Sequence, residues 1–349
     1  MPQSHSDRPN GISPLTGDLP QQVSAVSDVT PDVTPNMTTL INVIKPQIEP
    51  QRLLCIYSSN LPQHPHSNQS PITMGSIAEP TLSISNPFRT RILNGEITPL
   101  LSVKYMTGNE VAMMAKISGI HGLFIDMEHS SLDLHAVSQL ILACNYVGVS
   151  PVVRSPSKSH WHISRLLDAG AAAVVIPHIE SVQEVRDLVH HAKYAPLGAR
   201  GCTNNLPIFD FQHVPTTKQN EVLNRETMLI PMIETPVAVE LAEEILAVEG
   251  VDGVLVGSND LCADLGIHGK YDDSKYLDSV VRIIEAANKV GKPVGIGGIG
   301  GRLDILERWF SLGATWSLSG ADGAILQNGM KQITKNYDEI NRRVQKVQK

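Results

Sequence analysis

The sequence lacks the features of membrane, secreted and nucleic-acid-binding proteins. Its 349 residues hold no apolar run of 18, the length a membrane-spanning helix needs. Lys and Arg number 28 against 35 Asp and Glu and form no basic stripe, so we expect neither a nucleic-acid nor a membrane partner. The start has no basic segment before an apolar core and carries four Asp within 32 residues, which argues against secretory and mitochondrial leaders.

Cysteine is scarce and scattered. The four cysteines, Cys55, Cys144, Cys202 and Cys262, form no C-x-x-C pair. They are therefore interpreted as free thiols of a reducing compartment rather than as a disulfide framework or a zinc site. A cytoplasmic protein is expected.

Residues 1–84 differ in composition from the rest of the chain. The first 80 residues contain 12 of the 23 prolines together with many Ser, Gln, Asn and Thr. This composition predicts a largely disordered N-terminal extension, to which we assign no chemistry. The catalytic domain is expected to span residues 85–349.

Short apolar runs alternate with amphipathic helical stretches from about residue 85. There are eight such runs: 99–104, 122–128, 150–154, 171–177, 228–234, 253–257, 293–298 and 315–320. Continuous apolar strands separated by helices predict a parallel sheet buried on both faces. Eight units in about 260 residues have the size of an α/β protein with a (β/α)8 TIM barrel.

A doubly wound sheet is the alternative fold. Gly295, Gly297 and Gly300 satisfy the G-x-G-x-x-G pattern of dinucleotide-binding proteins. No acidic residue ends a following strand at the required distance, and the segment lies late in the chain. We interpret it as a flexible loop that lets the backbone approach a ligand.

Polar residues cluster at the C-terminal ends of the predicted strands, the edge at which barrels place their chemistry. The second run provides Asp126, Glu128 and His129, and later runs provide Arg154, His178, Glu234 and Asp260. Such a set at the mouth of an apolar barrel is costly to desolvate, which indicates a function.

Glu234 and Asp260 are predicted to bind Mg²⁺ or Mn²⁺. Two carboxylates leave several octahedral positions for water and a chelating substrate. Asp260 opens a short helix whose N-terminal backbone amides could hold a substrate carboxylate, so Gly257, Ser258 and Asn259 are predicted substrate contacts.

The remaining strand-end residues have candidate roles in catalysis. Arg154 offers a planar cation suited to an enolate or a carboxylate, and His129 could move a proton at neutral pH. Asp126, three residues before His129, could orient it or could be a structural ion-pair partner. Glu128 could be an outward-facing acid, and His178 is interpreted as structural or pocket-lining.

The segments IDMEHSSLDL, PVVR, LLDAGAAAVVIP, MIETPVAVE and VLVGSNDLCADLG together resemble the HpcH/HpaI aldolase family, metal-dependent aldolases of 2-oxo acids. The resemblance implies that Glu234 and Asp260 bind the metal and that Arg154 stabilises a pyruvate enolate. It implies that His129 acts as acid and base, paired with Asp168. It also implies a homo-oligomer, a hexamer with sites near subunit interfaces.

Two positions depart from the family pattern. Met232 stands where several members have a Gln that helps to hold the substrate, and Ser258 replaces the Pro of G-P-x-D-L. Met232 is therefore also a candidate substrate contact.

The function that we expect is cleavage of a 4-hydroxy-2-oxo acid to pyruvate and an aldehyde. Three alternatives remain. Oxaloacetate decarboxylation would use the same enolate, a CoA-thioester lyase would need a basic groove that the sequence does not show, and the barrel could be a catalytically weak 2-oxo-acid-binding protein.

Overall fold

The computed structural model describes residues 84–347, in which eight parallel strands close into a barrel. The strands are β1 (Thr98–Val103), β2 (Gly122–Asp126), β3 (Ser150–Arg154), β4 (Ala173–Ile176), β5 (Met228–Ile233), β6 (Val254–Gly257), β7 (Val294–Gly297) and β8 (Ala314–Ala321). The predicted TIM barrel is confirmed, and the doubly wound alternative is wrong because β8 pairs with β1. The predicted extension, apart from Ile84, lies outside the described residues.

Helices alternate with the strands. They are α1 (Pro87–Leu93), α2 (Glu110–Ile117), α3 (Leu134–Val147), α4 (His160–Asp168), α5 (Val182–Ala192), α6 (Thr216–Glu226), α7 (Pro236–Glu240), α8 (Ala242–Ala247), α9 (Ser258–Asp264), α10 (Ser274–Lys289), α11 (Leu303–Ser311) and α12 (Asp322–Val347). Side chains of Asp133, Ser181 and Thr235 cap α3, α5 and α7 by accepting backbone N–H bonds. Among the described helices, none has both the length and the apolar character that crossing a membrane requires.

Two layers of apolar side chains hold the barrel, because successive strand residues point alternately inward and outward. The inward set includes Phe124, Val152, Val175, Ile230, Leu255 and Trp316. The outward set packs against the helices and includes Leu123, Ile125, Val153, Val174 and Leu229. Phe88 of α1 lies edge-on to Trp316, with ring centroids 5.2 Å apart, so α1 closes the N-terminal end of the barrel.

The strand register brings the ends of neighbouring strands level with each other. Asp126, the last residue of β2, pairs with Arg154, the last residue of β3. The chain that follows each strand therefore starts from a common rim, and side chains far apart in sequence meet there.

Gly295 tests the packing of the barrel interior. A Cβ at this position would overlap the indole ring of Trp316, which is fully buried. We expect Gly295→Ala to lower the free energy of unfolding by roughly 2–3 kcal/mol, because the ring must shift within a close-packed core. Urea unfolding of this variant and of the control Gly201→Ala, where a Cβ meets no atom within 4 Å, measures the difference. Equal stability of the two variants would contradict this packing.

Candidate active site

A cavity of about 510 Å³ opens at the C-terminal mouth of the barrel. Eight residues predicted from sequence line it: Asp126, His129, Arg154, Met232, Gly257, Ser258, Asn259 and Asp260. The glycine-rich loop after β7 also contributes, through Gly298, Gly300 and Gly301. Glu234 packs directly against Gly257 of this wall. The strand-end rule therefore brings almost all of the candidates to one place.

Asp126 and Arg154 form a buried ion pair at the base of the cavity. Arg154 donates from Nε to Asp126 Oδ1 at 2.9 Å and from Nη2 to Oδ2 at 2.6 Å. Burial alone would raise the pKa of the Asp126 carboxyl. The Arg154 guanidinium, the His129 backbone N–H and Lys104 outweigh that effect and hold the pKa below its usual value. This bidentate pair fixes the plane of the guanidinium.

Asp126 contacts His129 through the backbone rather than through the imidazole. Its Oδ1 accepts the N–H groups of Glu128 and His129, each at 3.2 Å. The imidazole is 52% exposed, and its Nε2 lies 3.8 Å from Glu128 Oε2. Asp126 thus shapes the turn that carries His129 and leaves the ring free to face a ligand.

His178 bridges two carboxylates in a way the sequence did not indicate. Its Nε2 lies 2.7 Å from Glu128 Oε1 and its Nδ1 lies 3.3 Å from Glu234 Oε1, while its backbone N–H donates to the same Glu234 oxygen at 2.6 Å. Glu128 also contacts Arg154 Nη1 at 2.8 Å, so it faces inward. His178 adopts the left-handed region, with φ of 56°, which no sequence pattern here announces.

Glu234 is buried, and its second oxygen is unsatisfied. Among the described residues no group donates a hydrogen bond to Oε2. Burial raises the pKa of Glu234 to about 7; His178 opposes this shift, and the Asp260 and Glu128 carboxylates add to it. A buried carboxylate with a free oxygen next to a second carboxylate fits a hard cation, which would satisfy both.

Asp260 provides the second carboxylate. It lies in the first turn of α9 and lines the cavity. In the described range 84–347, no three or more His, Cys, Asp or Glu side chains are grouped as a metal site. Because Glu234 and Asp260 would supply two carboxylate ligands, a cation held by them would keep positions for water and a chelating substrate, as Mg²⁺ commonly does.

Gly257 packs closely against the side chains of Glu234 and Met232. A Cβ at residue 257 would overlap both Glu234 Oε2 and Met232 Cε, so only glycine fits there. Met232 Sδ lies 3.9 Å from Arg154 Nη1. A thioether therefore contacts one edge of the guanidinium.

Asp168 lies away from this cavity within one chain. Arg200 Nη2 contacts its Oδ1 at 2.5 Å. It lines a separate surface cavity together with Asp133, His135, Ser138 and Arg165. The described residues of a single chain thus do not pair Asp168 with His129.

Lys104 was missed by the sequence reasoning. It follows the last residue of β1, lines the cavity and places Nζ 3.2 Å from Asp126 Oδ2. The rule that selected the other candidates, polar residues at strand ends, would have found it in the run PLLSVK.

A barrel with paired carboxylates, a fixed Arg and a His at its mouth has the construction of an enzyme active site, and comparisons with known proteins identify the class of enzyme. The family model described as HpcH/HpaI aldolase/citrate lyase matches residues 101–328. The 4-hydroxy-4-methyl-2-oxoglutarate aldolase tasA of Hapsidospora irregularis is 31% identical over 252 residues, 71% of this chain and 93% of that protein.

Two bacterial proteins are similar to the same region. The hydroxypyruvate/pyruvate aldolase of Agrobacterium fabrum is 32% identical over 257 residues, covering 72% of this chain and 93% of that protein. The solved structure of an HpcH/HpaI aldolase from Desulfitobacterium hafniense superposes with a TM-score of 0.68 at 28% identity, over 72% of this chain and 96% of that one.

The chain belongs to the HpcH/HpaI aldolase/citrate lyase family, and it is a lyase. The family expected from the sequence motifs is confirmed.

The raised pKa of Glu234 predicts a pH-dependent metal affinity. A cation binds the ionised carboxylate, so binding below pH about 7 must first remove a proton. We expect the apparent Kd for Mn²⁺ to rise by up to about tenfold for each pH unit lost below that value, and to level off above it. Calorimetric titration from acid to alkaline pH measures this, with the exposed Glu243→Gln as the matched control that keeps the pH dependence. A Kd that stays constant as the pH is lowered to 4.5, the ordinary pKa of glutamate, would show that burial does not raise the pKa of Glu234.

Proposed function

We propose that this lyase is a divalent-metal-dependent aldolase that cleaves a 4-hydroxy-2-oxo acid to pyruvate and an aldehyde. The observation that carries the proposal is the buried Glu234. Its Oε2 is free, the Asp260 carboxylate is near enough to raise its pKa, and His178 and Glu128 connect it to the fixed guanidinium of Arg154. The aldolases that are similar to this chain, including those named above, support the reaction class.

Glu234 and Asp260 would hold Mg²⁺ or Mn²⁺ through carboxylate oxygens. When bound, the cation supplies Lewis-acid stabilisation of the negative charge that develops on the 2-oxo acid. Ser258 and Asn259 at the start of α9 would present backbone N–H groups to the substrate carboxylate.

Arg154 would stabilise the enolate that bond cleavage leaves behind. Asp126 and Glu128 hold the guanidinium on both sides, so it needs no reorganisation when the charge appears. The contact helps the transition state more than the ground state, because the keto oxygen becomes negative only as the bond breaks.

His129 would take the proton of the 4-hydroxyl group as the carbon–carbon bond breaks. Its exposed imidazole lines the cavity, within reach of a bound substrate. Asp168 would orient it from a neighbouring copy of the chain, because within one chain Asp168 faces a different surface cavity.

Decarboxylation of oxaloacetate is the second candidate function. It forms the same enolate from the same residues, but loss of CO₂ requires no base for a hydroxyl group. The separation of Asp168 from His129 within one chain favours this candidate if the chain acts without a neighbouring copy.

We also propose a homo-oligomer, a hexamer by family resemblance, in which α12 packs on a second copy. This helix exposes a stripe with alternating spacings of four and three residues: Leu326, Met330, Ile333, Tyr337, Ile340, Val344 and Val347. Such heptad spacing suits packing against another helical surface. An apolar groove beside β1, lined by Ile97, Leu303, Leu306 and Phe310, is left open where a barrel's outer helices usually pack.

The cytosol remains the proposed location. The three described cysteines, Cys144, Cys202 and Cys262, are free thiols, as a reducing compartment favours. We propose a small 2-oxo acid as the partner, and no nucleic acid, on the net charge of −7.

Glu234→Gln tests the proposed metal chemistry. We expect wild-type protein to release pyruvate from at least one 4-hydroxy-2-oxo acid or from oxaloacetate with Mg²⁺ or Mn²⁺, and to lose that release with EDTA. The rate of pyruvate release by the Gln variant should be lower by roughly a thousandfold or more, because a neutral amide binds a hard cation poorly. Coupled assays of pyruvate measure the rates, with the exposed Glu243→Gln as control. Undiminished metal-dependent turnover by Glu234→Gln would refute the assignment.

Mixing two inactive variants tests the shared site. His129→Gln and Asp168→Asn should each be inactive in aldol cleavage, while subunit exchange between them restores some sites that have both native residues. At random pairing about a quarter of the sites are intact, so about a quarter of the wild-type rate should return. Pyruvate assays before and after exchange, with light scattering to confirm the oligomer, provide the readout. No recovery in an exchanged oligomer would show that Asp168 does not serve a neighbour's His129.

A further inference from the structure

Lys104 gives the cavity a second cation beside Arg154. Both contact Asp126 Oδ2, Arg154 Nη2 at 2.6 Å and Lys104 Nζ at 3.2 Å, so the two cationic nitrogens are at most about 6 Å apart. Arg154 already satisfies the Asp126 carboxylate with two hydrogen bonds. An ammonium group has three donors, and its contact with Asp126 uses one of them.

The charges around the cavity make a spare donor useful. Four carboxylates, Asp126, Glu128, Glu234 and Asp260, surround two cations, Arg154 and Lys104. With a divalent cation in place and both histidines neutral, these described side chains and the cation balance in charge, so they have no excess positive charge to offer a dianionic substrate. A second carboxylate on the substrate would therefore need a local partner. Arg154 is assigned to the 2-oxo end, and the half-buried Lys104 is a second cation of the described cavity wall that has donors left.

The backbone that carries Lys104 is held by one distant residue. Asp322 Oδ2 accepts the N–H groups of Lys104, Tyr105 and Met106 at 3.0, 2.8 and 2.9 Å. Asp322 is buried, and its Oδ1 accepts the N–H of Gly323. Burial would raise the pKa of this carboxyl, but the four backbone N–H groups hold it below its usual value, so the carboxylate stays ionised.

We propose that Lys104 binds the second carboxylate of a dicarboxylic 2-oxo acid, and that Asp322 is the residue that positions it. The assignment rests on the proposed function, since it places the 2-oxo end of the substrate at Arg154. A diacid with two methylene groups between its keto carbon and its far carboxylate can span the two cations. Lys104 then sets the preference for diacids over monoacids.

Two unreactive ligands of equal chain length isolate this contact. 2-Oxoglutarate and 2-oxopentanoate differ only in the far carboxylate. Calorimetry with the Mn²⁺-loaded wild-type protein should show tighter binding of the diacid by about tenfold to a hundredfold, the range of a charge-assisted hydrogen bond.

Substitutions of Lys104 should remove this preference selectively. Lys104→Gln should bring the two Kd values to within about threefold of each other while leaving that of 2-oxopentanoate nearly unchanged. Lys104→Arg, which keeps the charge, should retain much of the preference. Lys116→Gln, an exposed lysine on α2, is the matched control and should behave as wild type.

Asp322→Asn tests the positioning role. The variant should bind the diacid less preferentially than wild type does, as Lys104→Gln should. The double variant with Lys104→Gln should show the same ratio of the two Kd values as Lys104→Gln alone, because the two residues act through one contact. A merely structural role would weaken both ligands equally. If Asp322→Asn does not fold, as circular dichroism would reveal, Asp322→Glu and the Lys104 series decide the question.

The outcomes separate this assignment from the proposed function. Equal binding of both ligands by wild type, or an equal loss of both in Lys104→Gln, would mean that Lys104 serves only Asp126 and would overturn the assignment alone. If neither 2-oxo acid binds with Mg²⁺ or Mn²⁺, and pyruvate does not bind either, the proposed function and this assignment are both overturned.

Discussion

The site depends on the buried ion pair between Asp126 and Arg154. Strand register places the two residues opposite each other at the ends of β2 and β3, and two hydrogen bonds lock the guanidinium. A buried pair contributes little net stability, but loss of one partner leaves an uncompensated charge. The pair instead fixes the geometry of the site. Lys104 contacts Asp126, Glu128 contacts Arg154, and His178 connects Glu128 to Glu234.

Much of the architecture and most of the site could be predicted from the sequence. Parallel strands of a closed barrel end at one rim, so Arg154, Glu234 and Asp260 had to converge once eight apolar runs were recognised. The spacing argument works because each of these residues lies within three positions of a strand end. The resemblance of the motifs to a known family then suggested roles for individual residues, such as the pairing of Asp168 with His129, which the spacing of the apolar runs cannot indicate.

The contacts around those residues were beyond sequence reasoning. His178 reaches two carboxylates because its backbone takes a left-handed conformation, and no glycine marks that turn. Asp322 is 218 residues from Lys104 in sequence, and the closure of β8 on β1 brings them together. Asp168 shows the converse: a motif suggested a pairing with His129, yet its carboxylate contacts Arg200 within one chain.

A crystal structure with Mn²⁺ and oxalate, in which anomalous scattering locates the metal, would test directly whether Glu234, Asp260 and Arg154 form one metal and enolate site. Oxalate resembles the planar enolate of pyruvate in shape and charge. We expect Mn²⁺ to be bonded to one oxygen each of Glu234 and Asp260, with oxalate chelating it and accepting a hydrogen bond from Arg154. Mn²⁺ bound elsewhere, or oxalate held away from Arg154, would contradict it.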